Sequence, residues 1–257
     1  MNDLLTLSGK TVLITGAGGR IGAATAKAVV TLGGSVVLID FNLDALSSLE
    51  KDLASEAVLT LTCDVCDVTQ LDTAIGKAKK RFGAIDGAVH SAYPRSAGWG
   101  TRFEDLSYEM LSQDLAMQLG GAIMFSQRMI REFAAKKDGS LIHIASIQGV
   151  AAPKFEHYQC TEMVSPIEYS AIKSGVISAS RYLAKYLKGT GVRVNCVSPG
   201  GILDAQPPSF VERYRNSCNQ KGLLNAGDVV GAICFLLSDH SRYMTGQNIV
   251  VDDGWSL

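Results

Sequence analysis

A chain of 257 residues, 47% apolar and 19% charged, is long enough to bury one substantial core. A formal net charge of −1 leaves no electrostatic basis for gripping nucleic acid or an anionic membrane, so neither is expected as a partner. No apolar run reaches membrane-spanning length, and the opening MNDLLTLSGK lacks a basic region followed by an apolar stretch, so a cytoplasmic protein without an export signal is expected.

Thr11-Val-Leu-Ile-Thr15 is a short β-branched, apolar run and predicts a buried strand over 11–15. It passes directly into Gly16-Ala-Gly-Gly-Arg-Ile-Gly22 and an alanine-rich helix over 20–32. Strand, glycine-rich turn and helix N-terminus offer backbone N–H groups and a positive dipole end to a pyrophosphate. An ordinary strand–turn–helix with flexible glycines competes with that reading. The next strand, 35–40, weighs against the plain alternative because it ends in Asp40, where a carboxylate commonly grips a ribose 2′-hydroxyl. A helix over 42–54 and a strand over 57–62 follow. Cys63-Asp64-Val65-Cys66 has metal-like spacing, yet no second Cys or His pair accompanies it, and no metal is expected. With Cys160, Cys196, Cys218 and Cys234 these make six thiols, read as reduced in a chain without an export signal.

A helix over 68–82, a strand over 84–89 and a long connection over 90–106 lead to a helix over 107–135. That helix carries Met110, Leu111, Leu115, Met117, Leu119, Ile123, Met124 and Phe125, more than one apolar stripe, and so predicts burial on more than one side. A strand over 139–145 precedes Ser146, and a helix over 168–189 carries Tyr169 and Lys173. A strand over 191–197, a long connection over 198–225 with the helix-like FVERYRNSC, a helix over 226–238 and a strand over 247–251 complete the chain. Seven strands alternating with six helices predict an α/β fold, a doubly wound parallel sheet with helices on both faces, as a single domain over 1–257. Both long connections follow strands, so both should emerge at the carboxyl edge of the sheet, beside the glycine-rich turn.

Tyr169 and Lys173 lie four apart, on one face of their helix. A phenol near pKa 10 is a poor acid–base group at neutral pH, and a neighbouring ammonium is expected to lower it toward a useful range. Ser146 can hold a substrate oxygen while charge develops on it. Tyr-x-x-x-Lys is common by chance, and a half-buried Tyr beside a solvated Lys is the plain alternative. The glycine-rich turn upstream favours the catalytic one.

Together, TGAGGRIG, Asp40, Cys63-Asp64-Val65, Ser146, Tyr169 with Lys173, and Val192-Arg-Val-Asn-Cys-Val-Ser-Pro-Gly200 resemble the short-chain dehydrogenase/reductase family. The closing TGQNIVVDDG resembles that family's last strand, so the likeness covers nearly the whole chain. It implies a seven-stranded Rossmann sheet and hydride transfer with a nicotinamide cofactor. By position, Tyr169 is implied as the acid–base, Lys173 as the residue that holds the ribose hydroxyls and Ser146 as the one that binds the substrate oxygen. Gly16, Gly18, Gly19, Arg20, Ile21, Gly22 and Asp40 are implied to hold the dinucleotide. So are Asp64 and Val65 at the adenine, Ser91, Ala92 and Tyr93 after the fourth strand, and Pro199, Gly200, Gly201 and Ile202 along the nicotinamide.

The chain also departs from the family pattern. Arg20 replaces a usual glycine, His90-Ser-Ala-Tyr93 replaces Asn-Asn-Ala-Gly, and Gln118 stands where a proton-relaying asparagine is usual. Near Asp204 a usual threonine is missing, and some ten extra residues separate Ser146 from Tyr169. Tyr158 lies nearer the common spacing, but Glu162 follows it four residues later, so Tyr169 is preferred. The inserted segment and SPGGILDAQPPSFVERY resemble the subgroup of flagellin-modification and nonulosonic-acid oxidoreductases. That likeness implies a nucleotide-sugar or amino-sugar substrate, which Arg95, Gln148, Glu156 and Gln206 could meet. NAD is expected over NADP because Asp40 would repel a 2′-phosphate, with Arg20 as the opposing consideration. A homo-oligomer is expected, a tetramer as the resemblance implies. The competing functions are a sugar-nucleotide epimerase or dehydratase with tightly held NAD, and a nucleotide-binding scaffold without turnover.

Overall fold

β-Branched and aliphatic runs form the strands β1 (Thr11–Thr15), β2 (Ser35–Asp40), β3 (Val58–Thr62), β4 (Gly87–His90), β5 (Gly139–Ile144), β6 (Val192–Pro199) and β7 (Asn248–Val251). The computed structural model describes residues 5–257; residues 1–4, inside the segment where no export signal is expected, lie outside them. All seven strands form one parallel sheet in the order β3-β2-β1-β4-β5-β6-β7. The winding reverses at β1, which pairs with β2 on one side and β4 on the other. A crevice therefore opens at the carboxyl ends of these strands, the place where such sheets bind ligands.

The helices are α1 (Arg20–Thr31), α2 (Leu43–Leu53), α3 (Val68–Phe82), α4 (Tyr108–Asp114), α5 (Gly121–Lys136), α6 (Ile167–Tyr186), α7 (Pro208–Asn216) and α8 (Gly227–Leu237). Alternate residues of each strand point to opposite faces, so both faces are covered. Val12, Ile14, Val36 and Leu38 pack with α1 and α8, while Leu13, Val37, Ile39 and Leu141 pack with α3 and α5. Among the described residues, no helix is long and apolar enough to cross a membrane.

Two expectations change. The helix expected over 107–135 is two α-helical segments joined by a π-helical turn, Leu115–Gly120. A π-turn holds one residue more than an α-turn and breaks the 3.6-residue rhythm. Gln118 is buried within it. Of the eight apolar residues read from that segment, Phe125 is fully buried while Ile123 and Met124 are 41% and 37% exposed. β4 starts at Gly87 rather than 84, because Asp86 is used as a cap: its carboxylate accepts from Thr11 N at 2.7 Å and pairs with Lys136.

At the centre of the sheet His90 and His143 sit in register on β4 and β5. His90 bonds Thr15 Oγ1 through Nδ1 at 2.9 Å and stacks on Phe125 at 4.9 Å. His143 lies between the hydroxyls of Ser126 and Ser180, at 2.9 and 2.8 Å. Burial holds both rings below the usual imidazole range, His143 at about 4, so both are neutral at pH 7.

Candidate active site

The turn after β1 is built by close backbone approach. Gly16 has φ +66° and passes so near the β4 end that a Cβ on it would lie 2.7 Å from the Ala92 backbone. A Cβ on Gly22 would lie 2.2 Å from the Gly16 carbonyl oxygen. Glycine at both ends lets α1 begin directly above β1, with its N-terminus facing the crevice. Asp40 closes the other side: its carboxylate accepts from Gly18 N at 2.9 Å and Asn42 N at 3.0 Å.

Across the crevice, α6 places Tyr169 in its first turn and Lys173 one turn later. Lys173 is buried, and its Nζ donates to the Ile144 carbonyl at 3.0 Å. The ammonium lies 5.5 Å from the ring centres of both Tyr169 and Tyr93. Ser146, just beyond β5, lies beside the Tyr169 phenol and favours its ionised form. Gly149 allows the segment after Ser146 to touch α6, since a Cβ there would lie 2.8 Å from the Lys173 carbonyl carbon. Ser146, Tyr169 and Lys173 are thus brought together.

Burial pushes the Tyr169 phenol above its usual value, and the neighbouring Ser146 hydroxyl offsets this only in part. Burial also pulls Lys173 down to about 8. The expected lowering of Tyr169 by Lys173 is therefore corrected. The ammonium is bonded to a backbone carbonyl, and stripping water from the phenolate outweighs its attraction. Tyr93 and Trp99 contribute to this dry environment, their rings meeting Tyr169 edge to face at 5.7 and 6.0 Å. A neutral phenol beside a serine hydroxyl can pass a proton to or from an oxygen held between them.

The segment inserted between Ser146 and Tyr169 forms a roof. His157, half of a pair with Ser217 Oγ at 2.8 Å, is buried against Phe210, Tyr214 and Trp255. The Tyr214 hydroxyl in turn accepts from Gly201 N at 2.6 Å and so steadies the loop after β6. Beneath the roof lies a cavity of about 580 Å³ that reaches Ser146, Tyr169 and Lys173. Trp99, Phe210, Tyr214 and Trp255 are not among the residues expected at the site from sequence. The density of aromatic residues in the two long connections and the closing segment was the available signal.

Of the residues expected at the cofactor, Gly19, Arg20, Ile21, Ser91 and Tyr93 line the cavity, as do Pro199, Gly200, Gly201 and Ile202. Gly16, Gly18, Gly22, Asp40, Asp64, Val65 and Ala92 lie outside its lining. Gln118 also lies outside it, with neither amide atom partnered among the described residues. On the substrate side, Glu156 is exposed and does not line the cavity, because its neighbours His157 and Tyr158 turn inward instead. Gln148 lines it but is committed: it accepts from Ser165 and Ser170 and donates to the Tyr158 hydroxyl. Gln206 is likewise used to shape its own loop, accepting from Asp204 N and donating to the Ile202 carbonyl. Arg20 pairs with Asp204 across the crevice. The Cys63 and Cys66 thiols are pushed up to about 11 by burial and neighbouring carboxylates, which keeps them protonated.

Comparison with known proteins agrees with this architecture. The family described as enoyl-(acyl carrier protein) reductase matches residues 16–256. Post-translational flagellin modification protein A of Campylobacter coli is 42% identical over 255 residues, covering 98% of this chain and 100% of that protein. A short-chain dehydrogenase/reductase of Botryotinia fuckeliana is 30% identical over 267 residues, covering 96% of each. The crystal structure of a short chain dehydrogenase from Leptospira borgpetersenii with bound NAD+ superposes with a TM-score of 0.87 at 28% identity, covering 98% of this chain and 94% of that one. With a doubly wound sheet, a glycine-rich turn at its switch point and relatives matched end to end, this chain belongs to the short-chain dehydrogenase/reductase family of oxidoreductases.

Proposed function

We propose that this protein oxidises or reduces a hydroxyl-bearing carbon of a nucleotide sugar or amino sugar, with NAD as cofactor. The observation that carries the reading is the grouping of Ser146, Tyr169 and Lys173 at the mouth of the glycine-rich crevice. The similarity to a flagellin modification protein along the full length of both chains supports a sugar. A bound nicotinamide supplies the acceptor or donor of hydride. The chain does the rest: Tyr169 exchanges the proton with the substrate oxygen, and Ser146 holds that oxygen. Lys173 binds the ribose hydroxyls and, once hydrogen-bonded there, favours the phenolate. Gln118 holds a water in place of the usual asparagine, which gives its unpartnered amide a role.

A dinucleotide is supported by the turn itself: glycine at 16 and 22 lets the backbone close against Ala92 and the Gly16 carbonyl, which leaves the α1 N-terminus free to receive a pyrophosphate. NAD rather than NADP follows from Asp40, which would face a 2′-phosphate with a buried carboxylate. The opposing consideration, Arg20, is taken up by Asp204. NADH is expected to bind more tightly than NADPH in fluorescence titrations, and Asp40→Ala to narrow the gap. Equal or tighter NADPH binding by the unaltered protein removes the proposal. A screen of nucleotide sugars, amino sugars and polyols for absorbance change at the reduced-nicotinamide band tests the reaction itself. Turnover confined to apolar alcohols or steroids would refute the sugar.

We also propose a homo-oligomer, a tetramer by family resemblance. Tyr108, Ile123, Met124, Tyr182 and Tyr186, on α4, α5 and α6, are all exposed in the single chain. Tyr182 and Tyr186 stack at 6.2 Å, and exposed apolar and aromatic side chains of this kind are what a partner protomer would cover. A monomeric mass by light scattering at micromolar concentration would defeat this.

A further inference from the structure

The cavity beneath the roof offers few polar groups that are free to meet a substrate. Gln148 and Gln206 brace the loops that carry them. The His157 ring is held by Ser217, and the Tyr214 hydroxyl by Gly201 N. Of the charged residues lining the cavity, Arg20 and Asp204 neutralise each other, and Lys173 is buried against the Ile144 carbonyl. Arg95 remains. Its side chain takes part in no hydrogen bond or ion pair among the described residues, yet its guanidinium carbon is held 5.6 Å from the Tyr93 ring centre. Tyr93 meets Tyr169 directly, so this cation stands one aromatic ring away from the proposed acid–base.

A guanidinium laid over an aromatic ring gains cation–π attraction and keeps the in-plane N–H donors of its fork free. Those donors match an oxyanion with two terminal oxygens. The carboxylates that bear on Tyr93 are Asp114 and Glu168, both buried and neither lining the cavity. Asp114 is also occupied by Ser96, through N at 2.9 Å and Oγ at 2.8 Å. Nothing on the cavity side therefore neutralises Arg95.

Building on the sugar-dehydrogenase reading above, we infer that Arg95 is an anion subsite, and that the substrate carries a phosphate or carboxylate a few bonds from the carbon that exchanges hydride. Tyr93 acts as its platform. This replaces the usual glycine of the family with a residue that reaches the reacting group on one side and the anion on the other.

The test uses NAD-loaded protein and matched ligands: glucose with glucose 6-phosphate, N-acetylglucosamine with its 1-phosphate, and glucose with glucuronate. Calorimetric binding and kcat/KM are both read. In at least one pair the charged member should bind roughly ten- to a hundredfold more tightly, the range of a charge-assisted hydrogen bond. The phosphate and carboxylate pairs distinguish the two sources of the anion. Arg95→Gln should collapse the ratio of charged to neutral, and Arg95→Lys should keep part of it. The preference should also shrink as salt rises, because the guanidinium is exposed. No resolvable difference within any pair, or a preference that survives Arg95→Gln, overturns the subsite. Charged ligands that bind preferentially through Arg95 but are never oxidised or reduced would leave the subsite standing and sink the dehydrogenase reading.

Discussion

Tyr169→Phe should leave dinucleotide binding intact and lower turnover by roughly 10²–10⁴-fold, the contribution of a positioned acid–base. The change deletes one oxygen. The ring that meets Tyr93 and Trp99 edge to face is kept, so the aromatic wall and the fold should survive. Ser146→Ala removes the hydroxyl beside the phenol and should lower turnover with little effect on cofactor affinity. Lys173→Ala should weaken NAD binding and move the pH optimum upward. Burial already places this ammonium at about 8, so below that pH it carries the charge that a phenolate needs nearby. Tyr158→Phe serves as the comparison, because the Tyr158 hydroxyl accepts from Gln148 and lies across the same cavity. Loss of activity in Tyr158→Phe with full activity in Tyr169→Phe would place the proton on the wrong tyrosine. Full activity in both, with a substrate in hand, would remove the proposed mechanism altogether.

A methyl group at position 22 should be nearly as damaging, for a reason unrelated to chemistry. The Cβ of Gly22→Ala would lie 2.2 Å from the Gly16 oxygen and 2.9 Å from Ala17 Cα, and neither is a flexible side-chain end. Relief requires the whole turn to move away from α1. Overpacking of this kind costs about 1–3 kcal/mol in stability. The displaced amides would also lose their aim at the pyrophosphate, at about 1.5–3 kcal/mol for each charge-assisted hydrogen bond, which is roughly a ten- to hundredfold weaker NADH titration. Gly76→Ala is the control. It is exposed on α3 with no atom within 4 Å of the added carbon, so it should be neutral or stabilise by up to about 1 kcal/mol. Wild-type melting temperature and NADH affinity in Gly22→Ala would show that the turn is looser than its backbone distances imply.

The parts of this molecule that sequence made legible are those set by local rules. Thr11–Thr15 alternates between two buried faces, and Gly16 and Gly22 sit where no side chain fits, so strand, turn and helix could be placed within a residue or two. Tyr169 and Lys173 needed only the helical repeat. The misreadings concern contacts between distant segments. Gln148, Gln206 and Glu156 look alike in sequence, as polar residues of long loops. Yet one braces the insertion, one shapes its own turn and one points away. His157 acquires its partner 60 positions later, at Ser217. The π-turn around Gln118 obeys no periodicity that a helix pattern could register. The Tyr169 phenol moved opposite to expectation because its solvent exposure depends on residues, such as Trp99, that only the folded chain brings beside it.

Trp255 ties the roof to the last strand of the sheet. This ring stacks on Tyr214 at 5.8 Å and backs His157, so the cavity opened by Gly16 and its neighbours is closed by a residue almost at the other end of the numbering. A single domain generally folds as a unit, whatever the order in which its residues are made. Here α1, directly after the first strand, packs in one core with α8, and β6 pairs with β7, so the first and last elements depend on each other. The roof is therefore complete only when the last strand has joined the sheet and brought Trp255 behind His157.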